Sequence, residues 1–147
     1  KGEASSLSNV DIEINIAELH GTLKKNAWVF KFLYTMIDFS NAKEWNITAT
    51  NDIPNSMDGY YLEMAYDIEC SKAAVLSAFI RYEAYDLTKD VHATFGSRVK
   101  SRDRDNTIIG FAYRPIDRLV FKADYTLKSR GDNTGINEFN LGMGFVY

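Results

Sequence analysis

The chain is short of several things, and each shortage removes a class of protein. It has one cysteine, Cys70, so no intramolecular disulfide framework can staple it, and that thiol reads as a free structural side chain. Only two prolines, Pro54 and Pro115, occur in its 147 residues, which is about one domain's worth of chain. Net charge is −3, with a pI near 5.4, which gives no basic bias toward nucleic acid. No apolar run approaches the roughly 18 residues of a membrane helix. The nearest, AWVFKFLYTMI at 27–37, is broken by Lys31. His20 and His92 lie far apart with no carboxylate or cysteine at metal-ligand spacing, so no metal site is expected. His20 and Thr22 share a face with Glu18, but no serine stands beside them, and a serine–histidine hydrolase is not supported. Gly142 and Gly144 are not a phosphate loop, because no helix follows; they read as gaps that let neighbouring side chains cross the strand. Neither enzyme chemistry nor a cofactor is expected. Lys1 is preceded by no initiator Met or signal peptide, which reads as a mature product or a fragment.

What is present is alternation. Aromatic residues make up 14% of the chain, mostly Tyr and Phe. In residues 118–128, RLVFKADYTLK, Leu119, Phe121, Ala123, Tyr125 and Leu127 fall on one side, opposite Val120, Lys122, Asp124, Thr126 and Lys128. In residues 136–147, INEFNLGMGFVY, Phe139, Leu141, Met143, Phe145 and Tyr147 oppose Asn140, Gly142, Gly144 and Val146. Period two is the pleat of a β-strand. The same pattern recurs upstream. Trp28, Phe30, Phe32, Tyr34 and Met36 oppose Val29, Lys31, Leu33, Thr35 and Ile37, and similar runs follow at 60–68, 78–85 and 107–114. At the N-terminal end Val10, Ile12, Ile14 and Ile16 alternate, and then the phase flips to Ala17, Leu19, Gly21 and Leu23. A β-bulge at 16–17 would reconcile the two phases.

Seven strands of about ten to thirteen residues result. That is long for a soluble sheet and suits a tilted strand crossing a membrane. Short turns are expected at 25–26, 69–74 and 114–117, and longer connections at 40–58, 87–106 and 129–135. Short turns at one end and long loops at the other is the outer-membrane pattern, with the short turns in the periplasm. The C-terminus is then periplasmic. Trp28, Tyr113 and Tyr147 fall at the periplasmic ends of the apolar faces, where an aromatic girdle belongs.

Five segments, 18–46, 52–68, 78–86, 110–133 and 139–147, together resemble the C-terminal part of Gram-negative porins, above all the phosphate-selective type and its uncharacterised relatives. RYEAYD at 81–86, YRPIDRLVFKADY at 113–125 and FNLGMGF at 139–145 carry the likeness. The resemblance implies an all-β, antiparallel up-and-down transmembrane barrel of which this chain is the last third or half. It further implies the bacterial outer membrane as location, lipid and lipopolysaccharide as surroundings, and assembly as a homotrimer. An odd strand number agrees with a part, since bacterial single-chain barrels have even numbers. The family's phosphate ligands cannot be placed on this sequence.

In a water-filled barrel, inward charges set ion preference. The candidates are Lys31, Glu63, Arg81, Glu83, Lys122, Asp124 and Lys128, which read either as a selectivity ladder or as opposite charges two apart that pair and hydrate the wall. With Arg114, Glu18 and Asp67 added the signs balance at five each, so anion selectivity does not follow. The basic run SRVKSRDRD at 97–105, with Arg98, Lys100, Arg102 and Arg104, could steer anions or bind lipopolysaccharide phosphates, or be a solvated loop. The expected function is passive diffusion of small hydrophilic solutes, anionic ones included. Two other readings stay open: a structural or adhesive barrel acting through its loops, and a soluble lipocalin-like barrel with its aromatic faces turned inward.

Overall fold

The computed structural model describes residues 11–49, 53–92 and 99–146. Over these the alternating runs become seven strands: β1 (Glu13–Lys25), β2 (Trp28–Ser40), β3 (Ser56–Glu69), β4 (Val75–Asp90), β5 (Asp103–Ile116), β6 (Leu119–Arg130) and β7 (Glu138–Phe145). One short helix, α1 (Ala42–Ala49), sits between β2 and β3. Each strand pairs antiparallel with its neighbour in sequence, in the order β1 to β7. The result is an all-β up-and-down meander. It is open, with β1 and β7 as its edges.

Local chemistry sets the turns. Lys25 pairs with Trp28 across a two-residue link in which Asn26 takes a φ of 53°, a conformation asparagine tolerates better than most residues. At the β3–β4 turn the N–H groups of Cys70 and Ser71 donate to the Ala74 carbonyl at 2.9 and 3.2 Å. The β5–β6 pairing is irregular between Tyr113 and Ile116, where Pro115 has no N–H to give to a ladder. In the β2–β3 connection the Asn46 amide donates to the Ile53 carbonyl at 2.8 Å and accepts from the Ile53 N–H at 3.0 Å. This clamp closes the loop around α1.

Several expectations need correction. The β1–β2 register runs unbroken from Glu13↔Ser40 to Lys25↔Trp28, so there is no bulge at 16–17. Ile14 and Ile16 simply share a face with Glu18 and His20. The first tight turn is 26–27, and the third is 117–118, with β5 running through Pro115 to Ile116. The expected loop at 40–58 contains a helix, and the one at 87–106 loses both ends to β4 and β5. Strand lengths accordingly range from 8 residues in β7 to 16 in β4. Short turns at 26–27, 70–74 and 117–118 do alternate with the longer connections. Residues 1–10, 50–52, 93–98 and 147, which include Arg98, Tyr147 and the start of the first alternating run, lie outside the described residues.

The two faces of the sheet differ sharply in exposure. Glu63 and Asp124 on the charged face are each 8% exposed, whereas Leu62 and Ile109 on the apolar face are 57% and 50% exposed. Among the described residues no second layer packs on either face, and the difference is that expected of a curved sheet. The sheet curls around its charged side, where side chains converge and shield one another. Its apolar core is correspondingly slight: Val29, Ala65 and Phe79 on the concave side, with Ile108 against them.

That concave packing leaves no room at Gly110. A Cβ there would lie 2.6 Å from both the Ala123 carbonyl and the Asp124 Cβ, and 2.8 Å from Phe79 Cζ. Gly110→Val is expected to lower stability by about 1–3 kcal/mol, the usual cost of overpacking. A urea titration of the folded protein, followed by far-UV circular dichroism, measures it; an unchanged midpoint would contradict the packing described.

Candidate functional site

The candidate residues all fall on the concave face, because cross-strand register keeps one side of the pleat together from strand to strand. The row Lys31↔Glu63↔Arg81↔Ile108↔Thr126↔Glu138 crosses β2 to β7. Beside it on the long-loop side run Leu33↔Tyr61↔Glu83↔Asn106↔Lys128, and on the short-turn side Val29↔Ala65↔Phe79↔Gly110↔Asp124↔Asn140.

Glu63 is the hub. Lys31 Nζ donates to its Oε1 at 2.8 Å, and Arg81 donates to its Oε2 through Nε at 2.9 Å and Nη2 at 2.5 Å. Both carboxylate oxygens are therefore engaged by cations from the two flanking strands. Arg81 also lies 4.6 Å from the centre of the Tyr61 ring, a cation–π contact that fixes its plane. Toward the short turns, Arg114 Nη2 donates to Ser77 Oγ at 3.1 Å and sits 3.5 Å from Asp67. The Ser77 hydroxyl donates in turn to Asp67. Lys122 lies 3.2 Å from Asp124 and 4.9 Å from the centre of the Phe79 ring. The Asn140 amide donates to Asp124 at 3.1 Å. Toward the long loops, the Asn106 amide donates to Glu83 at 2.9 Å, and Lys128 pairs with Glu138 at 2.5 Å.

The structure thus brings Lys31, Glu63 and Arg81 together, and Lys122 with Asp124. Arg81 and Glu83, neighbours on one strand, do not pair with each other; each takes a partner across the sheet. Of the basic run, Lys100 and Arg102 stand in a single 3₁₀ turn, and Arg104 on β5 lies 5.9 Å from the ring centre of Tyr85 on β4. His20 Nδ1 is 2.7 Å from Glu18 Oε1 on exposed β1. Among the described residues no three His, Cys, Asp or Glu side chains are grouped so as to hold a metal ion. The cross-strand triad and the buried Phe79 were not anticipated.

The convex face is equally ordered. Trp28 meets Tyr66 edge-on at 4.9 Å, and Tyr113 stands on the same face near the same short-turn end. Tyr34, Tyr60 and Tyr82 lie toward the long loops, with Tyr60 and Tyr82 rings 6.1 Å apart. Between these two groups the face carries Phe, Leu, Met, Ile, Ala, Gly, Thr and Tyr, and no charged side chain among the described residues. Just beyond, Asp58, Asp86 and Asp103 align in one cross-strand row, and Tyr82 donates to Asp105 at 2.6 Å.

Comparisons with protein-family models, with curated proteins and with solved structures found no match. The class is therefore defined by geometry alone: an open seven-stranded antiparallel meander with a charged, ion-paired concave face and an exposed aromatic convex one.

Because Glu63 is shielded and doubly paired, removing it leaves two cations facing each other. Glu63→Ala is expected to cost about 2–3 kcal/mol. The more exposed Lys128–Glu138 pair should cost at most about 1 kcal/mol when Lys128 is replaced by alanine. Urea midpoints of the two variants measured side by side check the order; a larger loss for Lys128→Ala would contradict it.

Proposed function

We propose that this chain is part of an outer-membrane, porin-like β-barrel through which small hydrophilic solutes, anionic ones included, diffuse passively. The observation that carries the reading is the inverted polarity of the sheet. Thirty large hydrophobic side chains are exposed among the described residues, while the buried hydrophobic ones are Val29, Ala42, Ala65, Ala74 and Phe79. A water-soluble fold would not leave so much apolar surface in contact with water. Lipid on the convex side and water on the concave side satisfy both faces at once.

Dimensions support the same reading. Tyr113 and Asp105 on β5 bracket the uncharged zone, and eight steps at about 3.3 Å each make it about 26 Å along the strand, or about 20 Å of membrane normal at the usual barrel tilt of about 40°. That is close to the apolar band of outer-membrane barrels, which aromatic girdles flank at both interfaces. Trp28 and Tyr113 would belong to the periplasmic girdle, at the short-turn end, and Tyr34, Tyr60 and Tyr82 to the outer one. The longer connections would face the lipopolysaccharide side. The free edges of β1 and β7 need partners, because lipid offers none to their N–H and C=O groups. Further strands would supply them, and assembly as a homotrimer would follow the porin pattern. Transport would consist of hydrated passage along Lys31, Glu63, Arg81, Glu83, Lys122, Asp124 and Lys128, with no covalent step and no cofactor. A lipocalin-like pocket would need the aromatic face on the concave side, and here it is the convex one.

Two measurements test this. Refolded in detergent, the chain is expected to run as a heat-modifiable β-rich band and to conduct ions in a planar bilayer. A monodisperse folded protein in plain buffer would overturn the membrane reading. Ile109→Lys, on the convex face, is expected to destabilise the protein in lipid by about 2–4 kcal/mol, as a charge near the bilayer midplane does. Leu33→Lys, on the concave face, should cost less than about 1 kcal/mol, since a lumen charge stays hydrated. Equal effects of the two substitutions would remove the distinction between faces on which the proposal stands.

A further inference from the structure

A recess of about 230 Å³ opens on the concave face around the Glu63 triad. Five cations border it, Lys24, Lys31, Arg81, Arg114 and Lys122, against the carboxylates of Glu63 and Asp67, with Asp124 beside it paired to Lys122. The even balance of charges along the whole face therefore conceals a local excess of positive charge. The two carboxylates are not equivalent. Asp67 is held by Arg114 and the Ser77 hydroxyl at the short-turn side. Glu63 stands between Lys31 and Arg81 and occupies both, one carboxylate oxygen for each. Two donors of the Arg81 guanidinium, Nε and Nη2, converge on one oxygen of Glu63, which takes up from within the wall the edge that could otherwise grip an oxyanion.

We propose that Glu63 determines specificity at this wall as a built-in counter-anion, which keeps Lys31 and Arg81 from capturing oxyanions that enter the recess. The proposal rests on the channel reading for its consequence in transport, but the binding it predicts does not require conduction. With Glu63 ionised, an incoming sulfate or carboxylate must displace a tethered carboxylate that is always present. With Glu63 neutralised, the same two cations turn to the recess beside Arg114 and Lys122, and a dianion gains up to two charge-assisted hydrogen bonds. Cations packed around one hydrated recess raise the local anion concentration, so the effect extends from affinity to ion preference.

The test uses inorganic sulfate as probe. The chain and its Glu63→Gln variant are refolded in detergent, their fold checked by heat-modifiable migration, and sulfate binding measured by isothermal titration calorimetry. Glu63→Gln is expected to bind sulfate at least about tenfold more tightly than the parent, the worth of roughly one charge-assisted hydrogen bond. Glu63→Asp keeps the charge and should stay near the parent value. Arg81→Gln should bind no more tightly than the parent. Equal sulfate affinity of parent and Glu63→Gln overturns the proposal, and so does a rise in Glu63→Asp matching that of Glu63→Gln. In planar bilayers under a salt gradient, the reversal potential of Glu63→Gln should move toward anions and that of Arg81→Gln toward cations. Tighter sulfate binding by Glu63→Gln without any ion conduction would leave the counter-anion role standing and remove the channel reading instead.

Discussion

A β-strand must find partners for its N–H and C=O groups on both sides, and among the described residues each strand here pairs only with its neighbours in sequence. Among the described residues six antiparallel ladders join β1 to β7 without a crossover, a second sheet or a packed helix layer. Ladder register therefore decides which side chains become neighbours across strands. Once the pleat has sorted side chains by parity, each ladder carries that sorting to its neighbour. A shift of one residue in any ladder would exchange charged and apolar side chains between the faces. The unbroken β2–β3 register and the β3–β4 register, regular from Asp58↔Asp86 to Glu69↔Val75, keep Lys31, Glu63 and Arg81 on one side and Phe30, Met64 and Ile80 on the other.

Curvature then gives the two sides different physics. On the concave side, the carboxylates of Glu63 and Asp124 lose most of their contact with solvent, and their cost of desolvation is met by pairing with cations that stay partly hydrated. Glu63 is the clearest case, with three donor contacts from two cations. Phe79 has a related role among these charges. It lies over Gly110 and offers its ring to Lys122, filling space that a polar chain would leave open. On the convex side no such compensation occurs, and large apolar groups stand free. A single sheet cannot bury both faces, so what surrounds it must differ from one side to the other.

How much of this was legible in the sequence depends on distance along the chain. The alternation of Tyr60, Leu62, Met64 and Tyr66 against Tyr61, Glu63 and Ala65 is a local signal, and it located the strands and sorted their faces. Pairing across short turns was legible in principle too. Glu63↔Arg81 follows from Glu69↔Val75 by counting back along a regular hairpin. Lys31↔Glu63 is different, because the intervening connection contains α1 and the Asn46 clamp, and no local rule fixes its register. The triad therefore could not be read from spacing alone. The helix leaves no comparable signal, because AKEWNITA has too few turns and too little amphipathic pattern to stand out from a polar loop. The supposed bulge had the opposite cause. Ile14 and Ile16 look like core residues, but they sit on the charged face of an edge strand, where hydrophobicity no longer reports the side.

The edges carry the last constraint. Soluble sheets blunt an exposed edge with proline, lysine, a bulge or a covering loop. β7, EFNLGMGF, has none of these within its span, and its pairing with β6 is regular throughout. Phe139, Leu141 and Met143 are 65%, 75% and 71% exposed, well above Tyr125 at 45% on the neighbouring strand, because no described residue pairs on their far side. An edge so flat, apolar and unguarded invites another strand. In a soluble protein that would be an aggregation hazard. In a barrel wall it is where the next strand joins, and the same pairing would complete the hydrogen bonding of β7 and narrow the gap in its apolar face. On the barrel proposal, the demand for backbone partners that builds the sheet from β1 to β7 continues past its edges and would be met by further strands.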